Sequence, residues 1–160
     1  MTLSIQQLIT EVSKKLIQLE WKIVTAESCT GGGLAYWMTC LPGSSTWYER
    51  GFVTYSNEAK EQLLGVRSLT LETWGAVSEQ TAREMAEGAL KNSHAQISVA
   101  ITGIAGPQGG TPTKPVGTVW IACANTEGKI LTHVDVYTGD RNAIREQAIR
   151  GALAKLLEFI

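Results

Sequence analysis

Between Leu41 and Lys60 the chain reads LPGSSTWYERGFVTYSNEAK, and this short run holds residue types that together suit acyl transfer. Ser44 and Ser45 are nucleophile candidates, Lys60 is a base candidate, and Tyr55 adds an aromatic hydroxyl. A hydroxyl is a poor nucleophile until a neighbouring base takes its proton. A lysine in water titrates near about 10.4, so it acts as a base near neutral pH only when desolvated or set beside positive charge. The ordinary alternatives are that Ser45 caps a helix and Lys60 lies solvated on one.

Other stretches add binding chemistry. Glu27-Ser28-Cys29-Thr30-Gly31-Gly32-Gly33 stands between an expected strand and an apolar run from Leu34 to Met38. A Gly-rich turn opening a helix presents free N–H groups that favour an anion. It is equally read as a plain capped turn, with Ser28 or Thr30 as the cap. Cys29 is a nucleophile candidate or a bystander thiol; only His94 and His133 are available as partners, and neither is near it in sequence. The loop Gly103 to Thr111 is glycine-rich and followed by further prolines, so it is neither helix nor central strand. Arg141 and Arg145 lie one helical turn apart and point the same way. They serve a surface ion pair or an anionic ligand held between helix start and loop.

The elements that must position these groups are legible from periodicity. Leu3 to Leu19 repeats as an amphipathic helix. Lys22 to Ala26 and Gln96 to Thr102 read as buried strands, Phe52 to Tyr55 as a third. Asn57 to Leu64 is a short helix ended by Gly65, and Ser68 to Trp74 is irregular or helical. Ser78 caps a helix from Glu79 to Asn92 whose inner face is small: Ala82, Met85, Ala86, Ala89 and Leu90. Val116 to Cys123 and Ile130 to Tyr137 form a hairpin, and Asp140 caps a last helix running to Ile160. This order predicts an α/β sandwich with a mixed sheet.

Composition narrows the function. At 160 residues the chain is expected to form one domain, residues 1–160. A net charge of −1 without a basic run argues against nucleic-acid binding. Three cysteines without CxxC spacing argue against a disulfide framework or a zinc site. The first twenty residues are amphipathic and carry acids, unlike a signal peptide. No apolar run reaches the roughly 18 residues of a membrane span. A cytoplasmic setting is expected.

Six stretches in order resemble the C-terminal domain family of the competence/damage-inducible protein CinA, in its stand-alone amidase form. They are Thr25 to Gly32 (TAESCTGG), Pro42 to Ser45 (PGSS), Gly51 to Lys60 (GFVTYSNEAK), Gly75 to Ser78 (GAVS), Thr102 to Pro107 (TGIAGP) and Lys114 to Val119 (KPVGTV). The resemblance implies a three-layer α/β/α sandwich with a mixed, mostly parallel sheet. It implies hydrolysis of nicotinamide mononucleotide to nicotinate mononucleotide and ammonia, in pyridine-nucleotide salvage, with no metal or cofactor. Carried onto this chain, it places the nucleophile at Ser45, the general base at Lys60 and a supporting hydroxyl at Tyr55. It places the substrate cradle at Ser28, Thr30, Gly31, Gly32 and Ser44, with Thr102, Gly103 and Gly106 opposite, and a basic substrate contact at Arg141 or Arg145. It also implies a homo-oligomer, for which Trp37, Trp47 and Tyr48 are interface candidates. The chain departs from the family at Tyr48, where Phe is expected, and at Gln108, where Asp is common.

A strand from Phe52 to Tyr55 covers about 13 Å at about 3.3 Å per residue. Ser45 and Lys60 therefore meet only if the chain reverses between Ser45 and Phe52. Two other functions stay open on the residues alone: a nucleotide-binding regulatory module without activity, and an amidase for another small carboxamide.

Overall fold

The computed structural model describes residues 2–160. The element order is α1 (Ile5–Leu19), β1 (Ile23–Glu27), α2 (Gly33–Thr39), a 3-10 turn (Ser44–Thr46), β2 (Tyr48–Val53), α3 (Asn57–Leu64), α4 (Ser68–Trp74), α5 (Glu79–Lys91), β3 (Ile97–Gly103), β4 (Thr118–Asn125), β5 (Ile130–Val136) and α6 (Arg141–Phe159). The five strands form one sheet in the order β2-β1-β3-β4-β5. β1 pairs in parallel with both β2 and β3, while β4 runs antiparallel to β3 and to β5. Four strands therefore share one direction and β4 alone opposes them, which gives the mixed α/β architecture.

The two faces of the sheet carry different side chains because a strand points successive residues to opposite sides. Ile23, Ile97, Val99, Ile101, Val119, Ile121 and Cys123 face α1, α2 and α6, where they meet Leu8, Val12, Leu34, Ile144 and Leu153. Val24, Ala26, Ala100, Ala122 and Ala124 face α5, whose Ala82, Met85, Ala86 and Ala89 lie against them. Small residues on both sides bring α5 close to the sheet. Gly88 does the same for the next layer: a Cβ there would run into the Leu64 carbonyl at the end of α3.

The helix ends follow their capping residues. Ser4 and Gln7 form a reciprocal capping box at α1. Ser56, Ser78 and Asp140 each accept a backbone N–H at the starts of α3, α5 and α6. The Asn125 side chain accepts N–H donors from Glu127 and Lys129 and closes the β4–β5 hairpin.

Two expectations change. β2 begins at Tyr48 and ends at Val53, earlier than the expected Phe52 to Tyr55. It is an edge strand with a bulge at Glu49, since Ile23 pairs with Tyr48 and Val24 with Arg50. Trp47 is not a surface residue either. It is buried in the main core, edge-on to the half-buried Tyr48, so it is not available to an interface.

Candidate active site

The three parallel strands β2, β1 and β3 end at the same edge of the sheet, where open α/β sheets hold their ligands. The segments that follow them converge there. Ser28 and Cys29 follow β1, Tyr55, Asn57 and Lys60 follow β2, and Gly103 to Gly106 follow β3. Arg141 joins them from the start of α6. These residues line a cleft of about 270 Å³, with Ala76 and Val77 on one wall and Gln108 at the rim.

Lys60 is the centre of the cleft. It belongs to α3 and is 1% exposed. Its Nζ lies 3.1 Å from Ser28 Oγ, 2.9 Å from the Thr54 carbonyl and 3.4 Å from the Tyr55 carbonyl. Burial pushes its pKa below the ordinary lysine value, because the ammonium has left water. A neutral amine has two N–H donors and one lone pair. Once deprotonated, the amine keeps its two N–H donors for the backbone carbonyls and turns its lone pair to the Ser28 hydroxyl; as an ammonium it donates to all three. Ser28 is itself buried, its backbone N–H tied to the Ile101 carbonyl of β3.

The turn after Ser28 is shaped by Glu27, the last residue of β1. Glu27 is fully buried and accepts hydrogen bonds from Thr30 Oγ1 at 2.6 Å and from the N–H groups of Leu34 and Ala35 at 2.9 and 3.0 Å. A protein carboxylate thus already occupies the N-terminus of α2, which the Gly-rich run had offered to an anion. Gly31 and Gly32 take left-handed backbone at φ 59° and 100° to let the turn close. Cys29 lines the cleft, but burial pushes its thiol up to about 11, which keeps it protonated and unreactive at neutral pH.

On the far side, Arg141 bridges two segments above the cleft. Its Nη1 donates to the Gly106 carbonyl at 2.7 Å and its Nη2 to the Tyr55 hydroxyl at 2.8 Å. Thr102 Oγ1 donates to the Ala76 carbonyl and holds the two walls together. Among the described residues no group of three His, Cys, Asp or Glu is placed to hold a metal ion. No helix among them is long and apolar enough to cross a membrane.

The structure thus brings together Ser28, Tyr55, Lys60, Thr102, Gly103, Gly106 and Arg141. It does not bring Ser45 to Lys60. Ser45 is exposed in the 3-10 turn ahead of β2, at the sheet edge where β1 begins, and Ser44 is beside it. The six residues of β2 separate the two ends by roughly 17 Å at about 3.3 Å per residue. The chain does not reverse between Ser45 and Phe52 but extends through them as strand. Thr30, Gly31 and Gly32 shape the turn without lining the cleft, and the Thr30 hydroxyl is spent on Glu27. Arg145 also stands off the cleft, donating to the carbonyls of Cys29 and Thr30. Glu27 and Asn57 had no assigned role in the sequence; a carboxylate at the end of an apolar strand, just before the glycines, was the signal for Glu27.

This chain belongs to the CinA C-terminal domain family, whose model matches residues 5–160. It is 52% identical over 152 residues to nicotinamide-nucleotide amidohydrolase PncC of Escherichia coli (strain K12), covering 95% of this chain and 92% of that protein. It is 44% identical over 155 residues to the protein of the same name from Pseudomonas putida, covering 97% and 96%. The crystal structure of competence/damage inducible protein CihA from Agrobacterium tumefaciens superimposes with a TM-score of 0.94 at 46% identity, over 99% of this chain and 98% of that one.

Proposed function

We propose that this chain hydrolyses the carboxamide of nicotinamide mononucleotide to the carboxylate and ammonia, with Ser28 as nucleophile and Lys60 as general base. The observation that carries the chemistry is the 3.1 Å contact between a buried lysine and a serine hydroxyl at the strand-end cleft. The relatives named for nicotinamide-nucleotide amidohydrolysis, which match nearly end to end, support the substrate.

In the reaction, Ser28 Oγ attacks the carboxamide carbon while its proton passes to the neutral Lys60 amine. Negative charge then builds on the carboxamide oxygen. Among the described residues the N–H groups of Cys29 and Thr30 donate to no backbone carbonyl; the N–H after a nucleophile is a suitable donor for that charge. Lys60 returns the proton to the amide nitrogen, the C–N bond breaks, and ammonia leaves. Water attacks the resulting Ser28 ester, Lys60 takes its proton, and the acid departs as Ser28 is reprotonated. The substrate's own pyridinium, a cation in the same cleft, further favours the neutral amine. Arg141 with Tyr55 is placed for the phosphate, since a guanidinium matches its geometry.

The chain acts as one unit in this reading, because the cleft draws on elements from β1 to α6. Three free thiols, one of them exposed, suit a reducing cytoplasm. Exposed Tyr36, Leu69 and Trp74 offer apolar surface for association of copies.

The test is ammonia release from nicotinamide mononucleotide by wild type, Ser28→Ala, Lys60→Met and Ser45→Ala. Activity is expected in wild type and Ser45→Ala and absent in the other two. Loss of activity in Ser45→Ala with retention in Ser28→Ala overturns the assignment. An inactive wild type favours a binding module or another carboxamide.

A further inference from the structure

Two side chains grip the turn that follows the nucleophile, and neither lines the cleft. Glu27 holds it from β1 through Thr30 and the first N–H groups of α2. Arg145, from the second turn of α6, holds it through its carbonyls: Nε donates to Cys29 O at 3.1 Å and Nη2 to Thr30 O at 3.3 Å. The backbone runs so near the guanidinium that a Cβ at Gly31 would sit 3.4 Å from Nη2.

The geometry points to Arg145 as a positioning residue that locks the Ser28 turn, and not as a contact to the substrate. This rests on the Ser28–Lys60 assignment above. Its planar fork reaches two successive carbonyls from two different nitrogens, a fixed geometry that a flexible lysine stem holds less firmly. A peptide unit is planar, so anchoring the Cys29 oxygen also sets the direction of the Thr30 N–H. Among the described residues that N–H, like the Cys29 N–H, donates to no backbone carbonyl. Arg145 thus fixes both the hydroxyl that attacks and a donor that receives the developing charge, while Arg141, one turn earlier, faces the cleft. Placement errors of this kind act on the rate of the chemical step more than on binding.

The test compares Arg145→Met, Arg145→Lys and Arg141→Met on nicotinamide mononucleotide and on nicotinamide riboside, which lacks the phosphate. It also follows alkylation of Cys29 by N-ethylmaleimide using peptide mass spectrometry, with exposed Cys40 as internal reference. Arg145→Met is expected to lower kcat roughly 10- to 100-fold on both substrates while KM for the nucleotide stays within about twofold. Cys29 is expected to alkylate faster in it and Cys40 unchanged. Arg145→Lys should fall between, and Arg141→Met should raise KM for the nucleotide more than for the riboside. A raised KM for the nucleotide with intact riboside turnover in Arg145→Met would overturn the proposal and assign this residue to the phosphate. Should Arg145→Met not fold, Arg145→Lys carries the same comparison. If wild type releases no ammonia, the amidase assignment fails by itself, and alkylation still decides: an unchanged Cys29 rate in the Arg145 variants refutes the lock.

Discussion

Lys60 Nζ and Ser28 Oγ lie 3.1 Å apart although 32 positions separate them in the chain. The contact joins the segment after β1 to the helix after β2, so it exists only because those two strands are parallel neighbours. Its surroundings decide its chemistry: among the described residues the lysine has no carboxylate partner, and two backbone carbonyls orient its amine.

Burial lowers the Lys60 pKa, so the fraction of neutral amine, and with it kcat/KM, should rise with pH along a limb below about 10.4. The same shift has a stability sign. Between the lowered folded pKa and the ordinary one the unfolded chain binds more protons, so this residue's contribution rises with pH across that window. Chemical denaturation of wild type and Lys60→Met across alkaline pH should show that increment in wild type alone. A pH-independent difference between them would contradict a depressed Lys60.

Tyr55→Phe leaves the ring and removes the hydroxyl that accepts from Arg141 Nη2. The guanidinium keeps only its bond to the Gly106 carbonyl. KM for nicotinamide mononucleotide should rise about 3- to 10-fold, the loss of one charge-assisted hydrogen bond's worth of orientation, with a smaller change in kcat. Steady-state kinetics checks this, and a collapse of kcat at unchanged KM would instead put the hydroxyl in the chemical step.

Gly88→Ala should destabilise the fold by about 1–3 kcal/mol, since the added methyl has no room against the Leu64 carbonyl and forces α3 away from α5. Because Lys60 rides on α3, the activity loss should exceed what the unfolded fraction explains. Urea denaturation alongside ammonia release measures both.

Cys123 is fully buried between β4 and α6, and burial pushes its thiol up to about 12. A raised acid pKa contributes stability that is present below the unfolded value and lost as pH climbs through the folded one. Wild type should therefore lose stability above about pH 9, and Cys123→Val should lose less. Equal alkaline losses in the two proteins would show that this thiol titrates alike in the folded and unfolded chain.

Much of the fold was written in local pattern. α1, α5 and α6 carry their apolar spacing and their caps at Ser4, Ser78 and Asp140, and β1 and β3 are short apolar runs. β2 was not legible at its start, because Tyr48-Glu49-Arg50-Gly51 is a half-exposed edge with a bulge and alternates poorly. Gly51 belongs there because a Cβ would meet the Tyr48 hydroxyl of its own strand and Thr25 Oγ1 of β1, a constraint that arises only once the two strands pair. Lys60, Tyr55 and Arg141 stand out by type, and the structure brings them to one cleft. The partner of Lys60 was not. Ser45 is nearer in sequence, whereas Ser28 is nearer in space, and the parallel register of β1 with β2 makes the difference.

With the Glu27 side chain hydrogen-bonded to the first N–H groups of α2, those donors are not open to a phosphate. In the proposed reaction the phosphate is then left to the Arg141 guanidinium at the cleft. Charges that meet in contact with bulk electrolyte are shielded over about 8 Å at physiological ionic strength. Substrate capture by this chain should therefore weaken steadily as salt is added, while the buried Lys60–Ser28 pair, out of reach of counterions, keeps its chemical rate.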